Sequence, residues 1–151
     1  MVFSAYEVHM SHWILEPIVI RTRDAAEVLS LDGSAWDGGG VPPTFPAPGQ
    51  VELHLRHYPD GSRTYDLVVD VEAERCWLAG AEDRPAPVSQ AKALVEGRLE
   101  QHVEETATEL LDSGFCPYCQ APIYLSRLER LLRPKTYTCP ACDRTWELPG
   151  R

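Results

Sequence analysis

The chain has 151 residues, 44% of them hydrophobic and 25% charged, with a formal charge of −9 at pH 7. That length suits about one domain or one domain with an appendage, and no apolar run approaches the roughly 20 residues of a membrane helix. The opening MVFSAYEVHMSHW lacks the basic and apolar regions of a secretory signal, so we expect a cytoplasmic protein without a membrane partner. A surface this acidic also argues against whole-surface nucleic-acid binding, because phosphates would repel it, and leaves only a local basic patch for that role.

In chain order, residues 12–21 (HWILEPIVIR) are rich in β-branched and aromatic residues and predict a strand, with Pro17 at an edge or a bulge. Residues 23–31 (RDAAEVLSL) predict a short helix. Residues 32–50 hold five Gly and four Pro, a composition in which we expect no regular element. A loop this long is unusual and often carries a binding function. Trp36 and Phe45 within it are candidate partner anchors, unless both rings fold back onto the sheet.

Val51, Leu53 and Leu55 alternate with Glu52, His54 and Arg56, the pattern of a half-buried strand. A turn at 59–62 (PDGS) joins it to residues 64–71, and a further turn leads to a strand at 75–79, giving an antiparallel meander. Cys76, beside Trp77 and Leu78, has no partner at metal spacing and reads as a small buried hydrophobe.

Residues 88–112 predict the one long helix. Val88, Ala91, Val95, Leu99, His102, Val103, Thr106 and Leu110 recur at three- and four-residue steps, Ser89 is a candidate N-cap, and Gly114 is a candidate stop. The outer face carries Glu96, Glu100, Glu104, Glu105 and Glu109. We expect an α+β chain: an acidic, mainly β region at 1–87, an amphipathic helix at 88–114 packing on it, and a separate module at 115–151. Charge divides along the same lines, at −8, −4 and +3 respectively.

The last module carries the chemistry. Cys116-Pro-Tyr-Cys119 and Cys139-Pro-Ala-Cys142 are separated by nineteen residues. Two residues between thiolates let one tight turn offer both sulfurs to a single ion, and two such turns complete a tetrahedral shell of four thiolates. Proline after the first cysteine fixes φ where each turn starts, so the pairs read as the same unit used twice. Residues 115–148 thereby resemble the zinc-ribbon family, over the last quarter of the chain only. The resemblance implies one structural Zn2+ held by Cys116, Cys119, Cys139 and Cys142 between β-hairpins, and implies no activity.

A treble-clef finger would need a helix at the second cysteine pair, where Thr145, Trp146 and Leu148 instead suggest a short strand. Disulfides suit a cytoplasmic chain poorly. Iron sites of the rubredoxin type usually place Gly after the second cysteine, where φ is positive, whereas Gln120 and Asp143 stand here. A catalytic zinc would keep an open position that four thiolates close.

Between the two pairs, Arg127, Arg130, Arg133 and Lys135 lie among Tyr124 and Tyr137 on a connection that reads as a hairpin or as a helical turn. This basic tongue is a candidate partner surface, for an acidic protein face or for nucleic acid. His54 and His57 point to opposite faces of a strand and make no metal pair. His102 and Glu105 share a helix face, but no matching second half exists. No nucleophile, phosphate-loop or metalloprotease motif is present. We expect a non-enzymatic accessory or adaptor protein with a structural zinc ribbon. The alternatives are a nucleic-acid-binding, transcription-associated regulator and, less supported, an enzyme with a site around His54, His57 and the Gly/Pro loop.

Overall fold

The computed structural model describes residues 2–8, 12–58, 63–124 and 136–147. The chain forms two compact units, residues 1–97 and 98–151.

The first unit contains two antiparallel sheets. Strands β1 (Val2–Val8), β2 (His12–Arg21) and β3 (Ala26–Ser30) form one, in the order β1-β2-β3. The other consists of β4 (Trp36–Asp37), β5 (Gln50–His57), β6 (Tyr65–Asp70), β7 (Arg75–Leu78) and β8 (Ala86–Pro87), each paired with the next. The alternation in β5 resolves as expected: Val51, Leu53 and Leu55 are buried, while Glu52, His54 and Arg56 are half-buried. Leu67, Val69 and Cys76 join them in the core.

Two expectations for the N-terminal strands are corrected. Residues 23–31 form a turn and β3, not a helix. Asp24 accepts hydrogen bonds from Arg21 Nε (3.0 Å) and from the Ala26 N–H (3.1 Å), and Ala25 adopts φ 56°, which stops a helix. Pairing with β2 then buries Leu29, so tertiary context overrides local propensity. Pro17 sits on the central strand, and the bulge lies beyond it, between Val19 and Ile20. A proline is tolerated there because the chain leaves the β3 ladder beside it: the Pro17 carbonyl accepts the Leu31 N–H, and the Leu31 carbonyl is taken by Ser34.

The 32–50 loop is more ordered than its composition suggests. Its segment 36–38 knits the two sheets together. β4 pairs with β5, while the Gly38 N–H donates to the Leu15 carbonyl on β2 (2.8 Å) and Asp37 accepts the Leu15 N–H (3.1 Å). Trp36 is fully buried, its indole edge-on to His57 (4.9 Å) and Tyr65 (5.4 Å). Glycine is required at 39, where a Cβ would stand 2.5 Å from Leu15 Cδ1 and 2.9 Å from Leu15 Cβ. Further on, Thr44 bridges to Glu52.

One carboxylate is enclosed in this arrangement. Glu16 is fully buried and accepts the consecutive N–H groups of Gly33 (2.5 Å), Ser34 (2.8 Å) and Ala35 (2.5 Å). A buried charge is tolerable only with such donors. The acid between Leu15 and Pro17 was the available sequence signal for it.

A 3-10 turn at Val88–Gln90 leads into α1 (Ala91–Asp112), so Ser89 lies inside the turn and Pro87 takes the capping position without a side-chain bond. Ala91, Val95, Leu99, His102 and Val103 are buried, and Glu100, Glu104, Glu105 and Glu109 are exposed. The helix ends as Gly114 predicts. With Gly114 at φ 81°, its N–H bonds the Leu111 carbonyl (3.1 Å) and the Phe115 N–H bonds the Leu110 carbonyl (2.8 Å), the paired bonds of a Schellman stop. Strands β9 (Thr136–Thr138) and β10 (Thr145–Glu147) pair antiparallel in the second unit. Among the described residues, no helix is long and apolar enough to cross a membrane.

Candidate metal centre

The Schellman stop delivers the chain directly to Cys116. The first Cys-x2-Cys turn is closed by Cys116 N–H to Ala121 C=O (2.8 Å) and Gln120 N–H to Cys116 C=O (2.9 Å), with Ile123 N–H returning to Gly114 C=O (2.7 Å). The second repeats this pattern residue for residue: Cys139 N–H to Arg144 C=O (2.9 Å) and Asp143 N–H to Cys139 C=O (2.8 Å). Gln120 and Asp143 occupy the left-handed region at φ 54° and 56°. Each turn thus takes the φ that glycine would accept most easily, using residues that accept it less well.

A backbone N–H also reaches the first sulfur of each turn: Cys119 N–H to Cys116 Sγ (3.3 Å) and Ala141 N–H to Cys139 Sγ (3.4 Å). The four sulfurs converge, all within 4.8 Å of one another. Cys116 and Cys142 are separated by 3.8 Å and Cys119 and Cys139 by 3.6 Å. A tetrahedral thiolate shell with metal–sulfur bonds of about 2.3 Å has sulfur–sulfur edges of about 3.8 Å, whereas a disulfide needs about 2.05 Å. Sulfurs this close together could hold one ion.

Burial pushes the thiols of Cys116, Cys119 and Cys142 up to about 11, against the pull of nearby N–H donors. At Cys139 burial acts in the same sense, but the N–H groups of Ala141 and Cys142 outweigh it and the thiol lies below its ordinary value. A cation entering the site displaces the remaining protons, so its hold weakens as pH falls. Across the two turns, the Arg144 guanidinium lies 4.3 Å over the Tyr118 ring, a cation–π contact that ties one turn to the other.

Comparison with protein-family models, curated proteins and solved structures finds no match. The four-cysteine module therefore rests on its own geometry.

The other candidate residues are not gathered with it. Arg127, Arg130, Arg133 and Lys135 lie outside the described residues, as does the turn at 59–62. Tyr124, just before the tongue, is 82% exposed. The two loop aromatics divide: Trp36 is wholly internal and presents no surface to a partner, because its indole fills the core beside His57 and Tyr65, whereas Phe45 is 73% exposed. Cys76 is buried, its thiol raised by that burial, with Sγ 3.7 Å from the Pro87 carbonyl.

His54 and His57 do different things. His54 Nδ1 bonds Asp66 Oδ1 at 2.8 Å, a cross-strand pair, and His57 packs edge-on to Trp36. Sequence reasoning did not single out this pair, nor the Asp37–Arg56 pair (2.6 Å), since both depend on strand register. His102 is buried on α1, and its carbonyl accepts the Thr106 hydroxyl at 2.9 Å.

Proposed function

We propose that this is a non-enzymatic accessory or adaptor protein whose C-terminal module is a zinc ribbon holding one structural Zn2+ on Cys116, Cys119, Cys139 and Cys142. The convergence of four sulfurs from two identically bonded turns carries the reading. Zinc suits the set because four thiolates form a closed tetrahedral shell with no position left for substrate. The β9–β10 hairpin that flanks the second turn supports a ribbon over a treble clef. The basic tongue, Arg127, Arg130, Arg133 and Lys135, then serves to contact an acidic face of a protein partner. The contrast between a net −12 for residues 1–114 and +3 for the remainder supports this. Screening confines such a contrast to contacts within about 8–10 Å at physiological salt.

Metal analysis of the purified full chain is expected to give one zinc per chain. Iron with a visible charge-transfer band, from cells supplied with both metals, would overturn the assignment. Replacing Arg127, Arg130 and Arg133 with Ser is expected to weaken partner capture without changing zinc content. The exposed Tyr124 and the Tyr118–Arg144 pair favour a second reading, stacking and charge contacts to nucleic acid. Submicromolar binding to a generic duplex or single strand near roughly 150 mM salt, lost in the triple variant, would put that reading first.

A further inference from the structure

We propose that β1 is a self-pairing edge through which two copies of this chain associate, joining their three-stranded sheets into one antiparallel sheet in the order β3-β2-β1-β1-β2-β3. The inference rests on the first unit and is independent of the metal reading. β1 is the outer strand of its sheet, and among the described residues no backbone hydrogen bond outside its pairing with β2 reaches residues 2–8. The register shows which groups are left over. On β2, the Leu15 and Pro17 carbonyls are taken from the β3 side, by Gly38 and Leu31. By alternation Ile14, Glu16 and Ile18 turn their backbone groups toward β1, where they pair with Tyr6, Ser4 and Val2. The N–H and C=O groups of Phe3, Ala5 and Glu7 therefore point away from β2, along the open edge.

Among the described residues, this edge carries few of the usual guards. Strands exposed in this way are ordinarily blunted by Pro, charged side chains (Lys above all), a bulge or a covering segment, and of these β1 has only Glu7, near one end. β1 (VFSAYEV) contains neither Pro nor Lys, its pairing to β2 runs without a register shift, and Val2 and Phe3 are 47% and 37% exposed.

The occupant that fits is a second copy. A two-fold axis through Ala5 sets Phe3 opposite Glu7 of the second copy, and Ala5 opposite its own equivalent. Every outward-facing residue then enters a pair that exchanges both of its hydrogen bonds. Glu7, the strand's one charge, meets Phe3 and not another carboxylate; a pairing centred on Glu7 would set like charges opposite each other and is disfavoured. The small Ala5 side chain leaves the two-fold axis free of steric clash, and the closest backbone approach falls at the flanking pairs of Ser4 with Tyr6 of the second copy. An edge of seven residues is modest beside the roughly 800 Å² per partner of a standard interface, so the dimer should form at micromolar concentrations.

Sedimentation of the full, metal-loaded chain across the micromolar range tests this. The mass is expected to rise from 16.9 kDa toward twice that value. Ala5→Pro removes an outward N–H that the β1–β2 ladder does not use, and Ala5→Lys sets two ammonium groups against each other at the axis. Both are expected to weaken association at least about tenfold, with circular dichroism unchanged and with melting unchanged in samples dilute enough to be monomeric, while Ala5→Thr retains it. If Ala5→Pro disturbs the fold, Ala5→Lys decides. A wild type that stays at 16.9 kDa throughout overturns the proposal and leaves the edge to a strand from another protein. So does a dimer that both variants leave intact.

Discussion

Asp37 shows how one side chain fixes the position of a loop. It is almost wholly buried and accepts hydrogen bonds from the Gly39 N–H (2.9 Å), Arg56 (2.6 Å) and the Leu15 N–H (3.1 Å), so it ties the loop to β2 and β5 together. Burial alone would raise its carboxyl, but the Gly39 N–H, the Arg56 guanidinium and the Leu15 N–H outweigh it and hold the group below the usual carboxylate range. A carboxyl lowered by folding contributes fully above its ordinary value near 4, and the contribution disappears as pH falls through the lowered folded value. Asp37→Asn is expected to cost on the order of 1–3 kcal/mol at neutral pH. The same variant should flatten the loss of stability on acidification below about pH 4. Urea melts followed by far-UV dichroism at several pH values check this, and an equal loss at every pH would refute the assigned role.

The two Cys-x2-Cys turns are the elements whose geometry matters most. Their repeated backbone bonding follows from the Cys-Pro-x-Cys pattern, since proline fixes φ at the start, while the N–H that reaches the first sulfur is that of Cys119 in one turn and of Ala141, one place earlier, in the other. The position after the second cysteine is where each turn stores strain, with Gln120 at φ 54° and Asp143 at φ 56°. Gln120→Gly is expected to stabilise the metal-loaded module by up to about 1 kcal/mol by removing the left-handed penalty on a side chain. Gln120→Val should destabilise it by about 1–2 kcal/mol, because a β-branched residue tolerates that region worst. Competition with a chelator of known zinc affinity ranks the three proteins. An order in which Val equals Gly would mean that the turn relaxes away from positive φ.

For the molecule as a whole, the division into two compact units predicts a divided response to metal removal. Apart from the end of α1, the described strands of the second unit are only three residues each, so an ion held by the four cysteines would supply much of the stability of the cysteine module. The first unit has its own core of Leu53, Leu55, Leu67, Val69 and Trp36. Chelation is expected to unfold residues 115–147 and to leave most strand dichroism in place. Hydrogen exchange before and after chelation measures it. Loss of protection in β5 and β6 as great as in β9 and β10 would show that the metal supports both.

How much was legible beforehand depended on whether the signal was local. The cysteine spacing, the alternation of β5, the helical stripe from Ala91 to Val103 and the Gly114 stop could all be read directly. Each expresses a period or a turn within a few residues, and the physics that produces it acts over the same few residues. The β3 strand, the central place of Pro17, the ordering of the loop and the division between Trp36 and Phe45 could not. Residues 26–30 became a strand because β2 offered an open ladder, and Trp36 went inside because His57 and Tyr65 pack against it while Glu16 holds the preceding residues 33–35. By itself the sequence determined four cysteines on two equivalent turns, close enough together that they could hold an ion, since proline and cysteine spacing act locally. Only the tertiary structure decided which carboxylates are buried, which aromatic is shown and which strands lie at the sheet edges, because those depend on partners far away in the chain.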